Sequence, residues 1–552
     1  MDLDELLEKY AARNALEHGE AQVDAVVGKV FADEPELKER ADEVVSTAEK
    51  VVEEVNTRSE DELEDIVGGH EYESAEQEEG LPELPDAEEG NVVMRMAPFP
   101  SGLLHIGNAR MAVLNDEYVK EYDGTLLLVI DDTAGSAEKK PIQEAYDAIP
   151  EDLEWLGVEF DEVIYKSDRL DLFYDYAEQF LAEGWAYVCE CDQETLRENR
   201  EDGVACDHRE QTPDENLEKW QDMLDGAYGE GEAAVRLKTD MEADDPAFRD
   251  RVLLRIAELD HPRVGTDYRV WPMLEFSWAV DDHELGITHI IRGKDLVMED
   301  RMERYMWDLL GWAEPEILHH GLLGIEDIQL STSTSRQKID AGEYEGWADP
   351  RTWSLRSLRR RGFEPDAIRN FVLEFGMSNN DVSVPVDSLY TENRKLVDDD
   401  ADRYFFVEDP VELEITGVPD DLVADIPYHP EHDRGSRTVS LSVEDGTATV
   451  YIDREDLEDG FLRLKDLCNV EIEDGTAEFH SVDHTEALDR DAAIVQWVPR
   501  DGKQCEVTMP DGDVVEGLCE PGTPEELVQF VRFGFVNVVS SHQNVEAYYT
   551  HP

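Results

Sequence analysis

The stretch from Val92 to Thr133 leaves a chain few ways to fold. A short apolar run, Val92-Val93-Met94, predicts a buried strand, and Arg95-Met-Ala-Pro-Phe-Pro-Ser-Gly-Leu-Leu-His105-Ile-Gly-Asn108 predicts a loop. Ala109 to Tyr122 then carries apolar residues at helical spacing up to a stop at Gly124. A second apolar run, Thr125 to Ile130, ends in Asp131-Asp132-Thr133. Strand, helix and strand in this order imply a parallel sheet, whose carboxyl edge is where ligands bind. Gly102 and the loop prolines let the backbone approach a ligand, and the first helical turn offers unpaired N–H groups to a phosphate. His105 adds a side-chain donor there.

A phosphate ligand must be reconciled with the charge of the chain. Its 552 residues include 134 Asp and Glu against 49 Lys and Arg, for a net charge of −85 spread along the whole length. At molar salt the Debye length falls to roughly 3 Å and most of that self-repulsion is screened. The composition therefore predicts a protein of a salt-filled cytoplasm, of the halophilic archaeal kind. The aromatic content and dense apolar periodicity argue against an acidic disordered chain. No apolar run reaches about 18 residues and Met1-Asp2-Leu3-Asp4 opens no signal peptide, so neither a membrane span nor secretion is expected. Six unevenly spaced cysteines do not form a disulfide framework.

Changes of pattern divide the chain. Residues 1–70 carry helical spacing, as in Leu6, Tyr10, Val26, Val27 and Val30, and read as a helical extension. Residues 71–90 are rich in Glu, Pro and Gly and read as a linker. Residues 91–330 hold the parallel sheet, interrupted by an insertion at about 187–260, and 331–387 hold a hydroxyl-rich loop and helices. From 388 to 552 the pattern alternates, as in Thr438 to Val443, Ala448 to Ile452 and Phe535 to Val539. Asp445-Gly446, Asp474-Gly475, Asp501-Gly502 and Asp511-Gly512 predict antiparallel hairpins and one or two β-barrels.

Within the insertion, Cys189-Glu-Cys191 and Cys206-Asp-His208 offer four soft ligands, a set that closes a tetrahedral structural zinc site. The same cysteines also suit a buried apolar core. Further on, Arg351, Arg356, Arg359, Arg360 and Arg361 fall in one segment with no acid between them. A local basic island is enough for phosphates, whatever the net charge.

The Arg95 to Asn108 segment resembles the HIGH signature of class I aminoacyl-tRNA synthetases, in the form preceded by Arg-x-Ala-Pro-x-Pro-Ser-Gly that marks the glutamyl and glutaminyl branch. Val280 to Asp295 resembles the same branch where it leads into an Arg-Gly-Lys turn. Gln329 to Arg336 takes the place of its KMSKS loop, and Gly346 to Pro365 is a further match. Tyr404-Phe-Phe406 and His429-Pro-Glu-His432 resemble the anticodon-binding barrels of glutaminyl and archaeal-type glutamyl enzymes, where bacterial glutamyl enzymes have helices.

The resemblance implies an α/β fold: a Rossmann-type catalytic domain, an α-helical N-terminal extension and C-terminal antiparallel β-barrel anticodon-binding domains. The implied reaction joins ATP, as its Mg²⁺ complex, and glutamate into an adenylate, then transfers the glutamyl group to the terminal adenosine of tRNA(Glu). His105, Gly107 and Asn108 are then expected on the nucleotide phosphates, and a flexible loop of Ser331, Thr332, Ser333 and Arg336 on the leaving group. Arg95, Asp132, His283 and Arg292 are expected on the amino acid, with Asp132 nearest its ammonium. The five arginines are expected on tRNA, and the insertion to meet the acceptor end. This chain departs from the pattern with Asn108 for a His, Thr332 for a Lys, Val129 for an Arg and Leu274 for a Tyr. A glutaminyl enzyme shares every motif quoted, charging of tRNA(Gln) stays open, and a non-catalytic tRNA-binding paralogue is the distant alternative. The intact framework from Arg95 to Gly107 speaks for a working enzyme.

Overall fold

The computed structural model describes residues 3–18, parts of 21–30, 40–56, 58, 81–133 and 140–552. The end of the expected helical extension near Val67, and linker residues 71–80, lie outside the described residues. The chain divides into two compact units, Met1–Pro82 and Glu83–Pro552.

The first unit contains helices α1 (Leu3–His18) and α2 (Ala41–Val55). Leu7, Ala11 and Ala15 on one helix, and Val44, Ala48, Val52 and Val55 on the other, are buried at the spacing that lines one helix face. Asn56 closes this unit with both ends of its amide, accepting from the Ala21 N–H at 2.7 Å and donating to the Ala21 carbonyl at 2.9 Å.

At the centre of the second unit stands a five-stranded parallel sheet. Strands β1 (Val93–Met96), β2 (Thr125–Ile130) and β3 (Glu162–Tyr165) come first. The chain then leaves to build a four-stranded antiparallel sheet from β4 (Ala186–Cys189), β5 (Ala234–Leu237), β6 (Val252–Ile256) and β7 (Val270–Pro272). It returns as β8 (His289–Gly293) and β9 (Glu316–His320), giving the order β3-β2-β1-β8-β9. The order reverses between β1 and β8, and such a reversal opens a crevice at the strands' carboxyl ends. One hydrophobic core joins the two sheets, with Leu127, Val129 and Phe180 packed in the same cluster as Val235, Leu254 and Trp271. Val129 is therefore an apolar core residue, where a charged side chain would be buried.

Helix α3 (Ile106–Glu121) begins a turn earlier than the apolar spacing suggested. His105 and Asn108 cap it reciprocally: the Gly107 N–H donates to His105 Nδ1 at 3.1 Å, and the His105 N–H donates to Asn108 Oδ1 at 3.1 Å. The same helix buries Arg110, whose guanidinium donates to the carbonyls of Gly321, Phe375, Gly376 and Ser378. Those bonds tie it to the chain that follows β9.

From residue 402 onward two large sheets dominate, one of seven strands and one of eight. Most pairs are antiparallel, as expected, yet Cys505 to Thr508 pairs in parallel with Val545 to Tyr548, and Ile415 with Ala477. The eight-stranded sheet is nearly closed, because Ala493–Val495 pairs at one edge and Val498–Pro499 returns to the strand Thr447–Asp453. At Asp445-Gly446 and Asp474-Gly475 both residues have positive φ, the twist that a two-residue hairpin needs. Asp501-Gly502 and Asp511-Gly512 turn differently, since neither aspartate adopts positive φ. Among the described residues no helix is long and apolar enough to cross a membrane.

Candidate active site

The crevice at the carboxyl ends of β1, β2 and β8 gathers most of the expected residues. At the end of β1, the His105 imidazole accepts through Nδ1, which leaves the proton on Nε2 as a donor. Burial lowers its pKa to about 4, so the ring is neutral at physiological pH. Gly102 lies under the Trp347 ring and Thr332, both of which a Cβ at this position would strike. Thr332 Oγ1 donates to the Leu103 carbonyl at 3.4 Å, and Arg336 donates to the carbonyls of Ser101 and Lys140.

The segment expected to be a flexible hydroxyl loop is instead the start of a helix, α4 (Thr332–Asp340). Ser331 caps it by accepting from the Thr334 N–H. A polar run with a hydroxyl cap and no Gly or Pro nucleates a helix once its first turn can dock, here against the Gly102 loop. Its free N–H groups face outward from the N-terminus, the end that favours anions. Arg336 and Lys338 both already have partners, Lys338 through the Tyr344 hydroxyl at 2.9 Å.

Next to this, charged groups are packed with little exposed surface. Arg95 is buried against Asp282, with Nη2 donating to Oδ2 at 2.9 Å, and its guanidinium lies 4.7 Å from the Trp278 ring centre. Arg292 forms a two-pronged pair with Glu303 and an ion pair with Asp300 at 2.8 Å. Burial pushes the Glu303 carboxyl up to about 7 despite that arginine. Asp300 also meets His319 Nε2 at 2.8 Å.

The two adjacent aspartates differ. Asp132 has both oxygens filled: Oδ1 accepts from the Ser167 N–H at 2.8 Å, and Oδ2 from the Ser167 hydroxyl and Tyr146. Asp131 accepts from Thr133 on Oδ1 and, among the described residues, from Lys166 on Oδ2 at 3.3 Å. Among the described residues, Asp132 is thus the more fully hydrogen-bonded of the two.

Two expected residues stand elsewhere. His283 is exposed at the end of helix α5 (Leu274–Glu284) and stacks on Trp312 with ring centres 3.7 Å apart, so it does not join the charged cluster. Arg361 is 0% exposed and donates to the carbonyls of Tyr549 and Thr550, which corrects its expected place on tRNA. Its segment is pinned by the C-terminal sheet, and that contact was invisible in local sequence. Arg351 pairs with Asp349 and lies over Tyr344, and Arg356 pairs with Glu151 and Asp152. Arg359 is half exposed, with a loose contact to Glu151 at 3.9 Å, and Arg360 lies over Tyr548. The island is thus narrower than its sequence.

In the insertion, the four ligand atoms of Cys189, Cys191, Cys206 and His208 all lie within 4.8 Å of one another. Cys189 Sγ is 3.8 Å from Cys206 Sγ, and Cys191 Sγ is 3.5 Å from His208 Nδ1. Arg236 reaches two of the sulfurs, at 3.7 and 3.9 Å.

Sequence reasoning missed Asp282, Lys166 and Trp278. Trp278 gave no local signal, being one aromatic in a mixed stretch of helix.

The domain family described as "tRNA synthetases class I (E and Q), catalytic domain" matches residues 91–399, and the corresponding anti-codon binding domain matches 401–487. A relative from Methanopyrus kandleri named glutamate–tRNA ligase is 45% identical over 100% of this chain and 99% of its own. Relatives of the same name from Pyrococcus furiosus and Pyrococcus abyssi are each 45% identical over 100% of both chains. With the signature helix, the parallel sheet and this coverage together, the chain belongs to the class I tRNA synthetases of the glutamyl and glutaminyl branch.

Proposed function

We propose that the chain is a glutamate–tRNA ligase: ATP and glutamate form glutamyl-adenylate and pyrophosphate, and the glutamyl group passes to the terminal adenosine of tRNA(Glu). The observation that carries this is the capped N-terminus of α3 at the switch point of the sheet, with buried cations beside it. Catalysis here is placement and charge stabilisation. His105 Nε2 and the first N–H groups of α3 meet the nucleotide phosphates, while Gly107 and Asn108 shape and cap that turn. The N-terminus of α4, with Ser331, Thr332 and Ser333, receives the leaving pyrophosphate. Arg95 and Arg292 serve the amino acid's carboxylates and Asp131 its ammonium, with Asp132 holding the pocket wall. Charging assays with labelled glutamate and with labelled glutamine, at high KCl, test the reading. Glutamate is expected on tRNA(Glu); glutamine alone on tRNA would make this a glutaminyl enzyme, and charging of neither would make it a paralogue without catalysis.

The domain boundaries inferred above follow the same proposal, with the Asp-Gly-rich sheets after residue 388 as the anticodon-binding region. The acidic surface is that of a protein working in concentrated salt within a cytoplasm. Arg359 and Arg360 are the two arginines of the island free enough to take tRNA phosphates. Changing both to Ala is expected to weaken tRNA binding without altering the KM for ATP. The salt dependence of binding should also flatten by nearly two contacts, at about 0.7–0.9 of log–log slope each. Parallel slopes with equal affinity would reduce the island to a salt-bridged helix face.

The cysteine cluster fits zinc. With Zn–S near 2.3 Å and Zn–N near 2.0 Å, a tetrahedron has edges of ~3.8 Å between sulfurs and ~3.5 Å from sulfur to nitrogen, close to the 3.8 and 3.5 Å seen here. Three thiolates leave such a centre negative, and Arg236 supplies the compensating charge. When bound, the metal braces the insertion. About one equivalent of zinc per chain is expected from metal analysis, and Cys191→Ser is expected to open this segment to protease. Less than about a tenth of an equivalent, with ordinary activity, would return the cysteines to the core.

A further inference from the structure

Gly102 has no positive φ, so space rather than backbone conformation demands a glycine there. A Cβ at this position would lie 2.6 Å from both Trp347 Cζ2 and Thr332 Cγ2, so the room left by the missing side chain is filled by the protein itself. Trp347 is 5% exposed and shares one small apolar cluster with Leu103 of the signature loop, Ala148 of the helix Gln143–Trp155 and Ile339 of α4. Its ring therefore meets the loop that leads into His105 on one side and α4 on the other. Its backbone is anchored to the His105 side. Thr352 Oγ1 and Ser354 Oγ both donate to the Trp347 carbonyl, and Ser354 forms an antiparallel bridge with His105. Beside that bridge the Ile106 N–H donates to the Trp353 carbonyl at 3.1 Å and the Leu355 N–H to the Leu104 carbonyl at 2.9 Å.

We infer that Trp347 is a positioning residue that sets the distance between the N-termini of α3 and α4, the two helix ends that share the nucleotide's triphosphate. The inference rests on the reading of the chain as a glutamate-activating enzyme. In that reaction the α-phosphate is attacked beside α3 while pyrophosphate departs toward α4, so the gap between the two ends must fit the triphosphate as its bond breaks. The polar ties across the gap can stretch: Thr332 reaches the Leu103 carbonyl at 3.4 Å, and Arg336 reaches the Ser101 carbonyl at 3.3 Å on a long side chain. A flat indole packed on a Cα without a Cβ cannot yield in the same way, because a close-packed interior transmits displacement rather than absorbing it. Trp347 touches neither substrate and acts through the Gly102 turn and α4. An error in this spacing falls on the step in which charge develops on the leaving group. Binding of the amino acid is spared, since Arg95 and Arg292 are held separately by Asp282 and Glu303.

Gly102→Ala, Trp347→Phe and the double variant test this by pyrophosphate exchange with tRNA present and by hydrogen exchange at the amides of α4. Gly102→Ala drives a Cβ into the ring and is expected to lower kcat by about a hundredfold, the loss that a misplacement near 1 Å brings. The KM for glutamate should stay within about twofold, the mark of an interaction felt only in the transition state. Trp347→Phe removes the ring atoms nearest Gly102 and should lower kcat by about tenfold. In the double variant the new Cβ takes the room the indole vacated, so Gly102→Ala should cost about tenfold less there than in the parent chain. The Thr332 methyl still stands at that spot, which keeps the recovery partial. Exchange within α4 should quicken in Gly102→Ala and return toward the wild-type rate in the double variant. Losses that simply multiply, unchanged exchange in α4, or a KM for glutamate that rises as far as kcat falls would each make Trp347 an ordinary core residue. Should Gly102→Ala fail to fold, kcat, KM and α4 exchange in Trp347→Phe decide alone. Wild-type protein that activates no glutamate would sink the functional reading instead, and α4 exchange would still judge the spacing.

Discussion

Replacing His105 by alanine is expected to slow adenylate formation by about a hundredfold or more and to leave the fold intact. Removing one preorganised donor from a developing charge typically costs that much. The structure defines the donor: Nδ1 is occupied by the Gly107 N–H, so Nε2 carries the proton and points away from the cap. Loss of the cap itself costs only about 0.5–2 kcal/mol. Pyrophosphate exchange measured with tRNA present reports the rate, and a wild-type rate would remove His105 from the site. A pH signature accompanies the change. The folded pKa, about 4, lies below the ordinary 6.5, so the unfolded chain binds this proton first. The contribution to stability is therefore full above pH 6.5 and is lost as the pH falls toward 4. Denaturation of the alanine variant should lack that part of the pH dependence.

Arg95→Met is expected to cost about 3–5 kcal/mol of stability and to abolish charging. It strands Asp282, which has no exposed surface, without its partner. The two effects have different origins, and a second substitution separates them. Asp282→Asn in the same chain removes the stranded charge, so the double variant should regain most of the lost stability, read as the midpoint of denaturation. Charging should not return, because the guanidinium proposed to meet the substrate's carboxylate is still missing. A double variant that charges tRNA would make Arg95 a structural ion-pair partner only.

The chain's own order made the central unit legible. Strands buried on both faces read as unbroken apolar runs, and Thr125 to Ile130 is a strand with the bounds its sequence suggested. The Asp-Gly turns at 445 and 474 were equally local, since positive φ is a property of the residues that adopt it. The two cysteine-containing pairs stand together in the structure, Cys189 and Cys191 at the end of β4 and Cys206 and His208 after the helix Gln193–Asp202.

What the sequence by itself determined, then, was the central strands and helix, two of the four Asp-Gly hairpins, and the family to which the motifs point. Only the tertiary structure decided how the charges pair. Arg95 meets Asp282 across 187 residues of chain, and Lys166 meets Asp131 across 35. The C-terminal strand removes Arg361 from any ligand by offering it carbonyls 188 and 189 residues away. An arginine, lysine or aspartate is the same letter whether it is spent on a partner or held for a substrate. The difference lies in desolvation and geometry, which arise only when distant elements close around the group. In a chain with so many acids, that closure fills both oxygens of Asp132 and pairs Asp131 with Lys166.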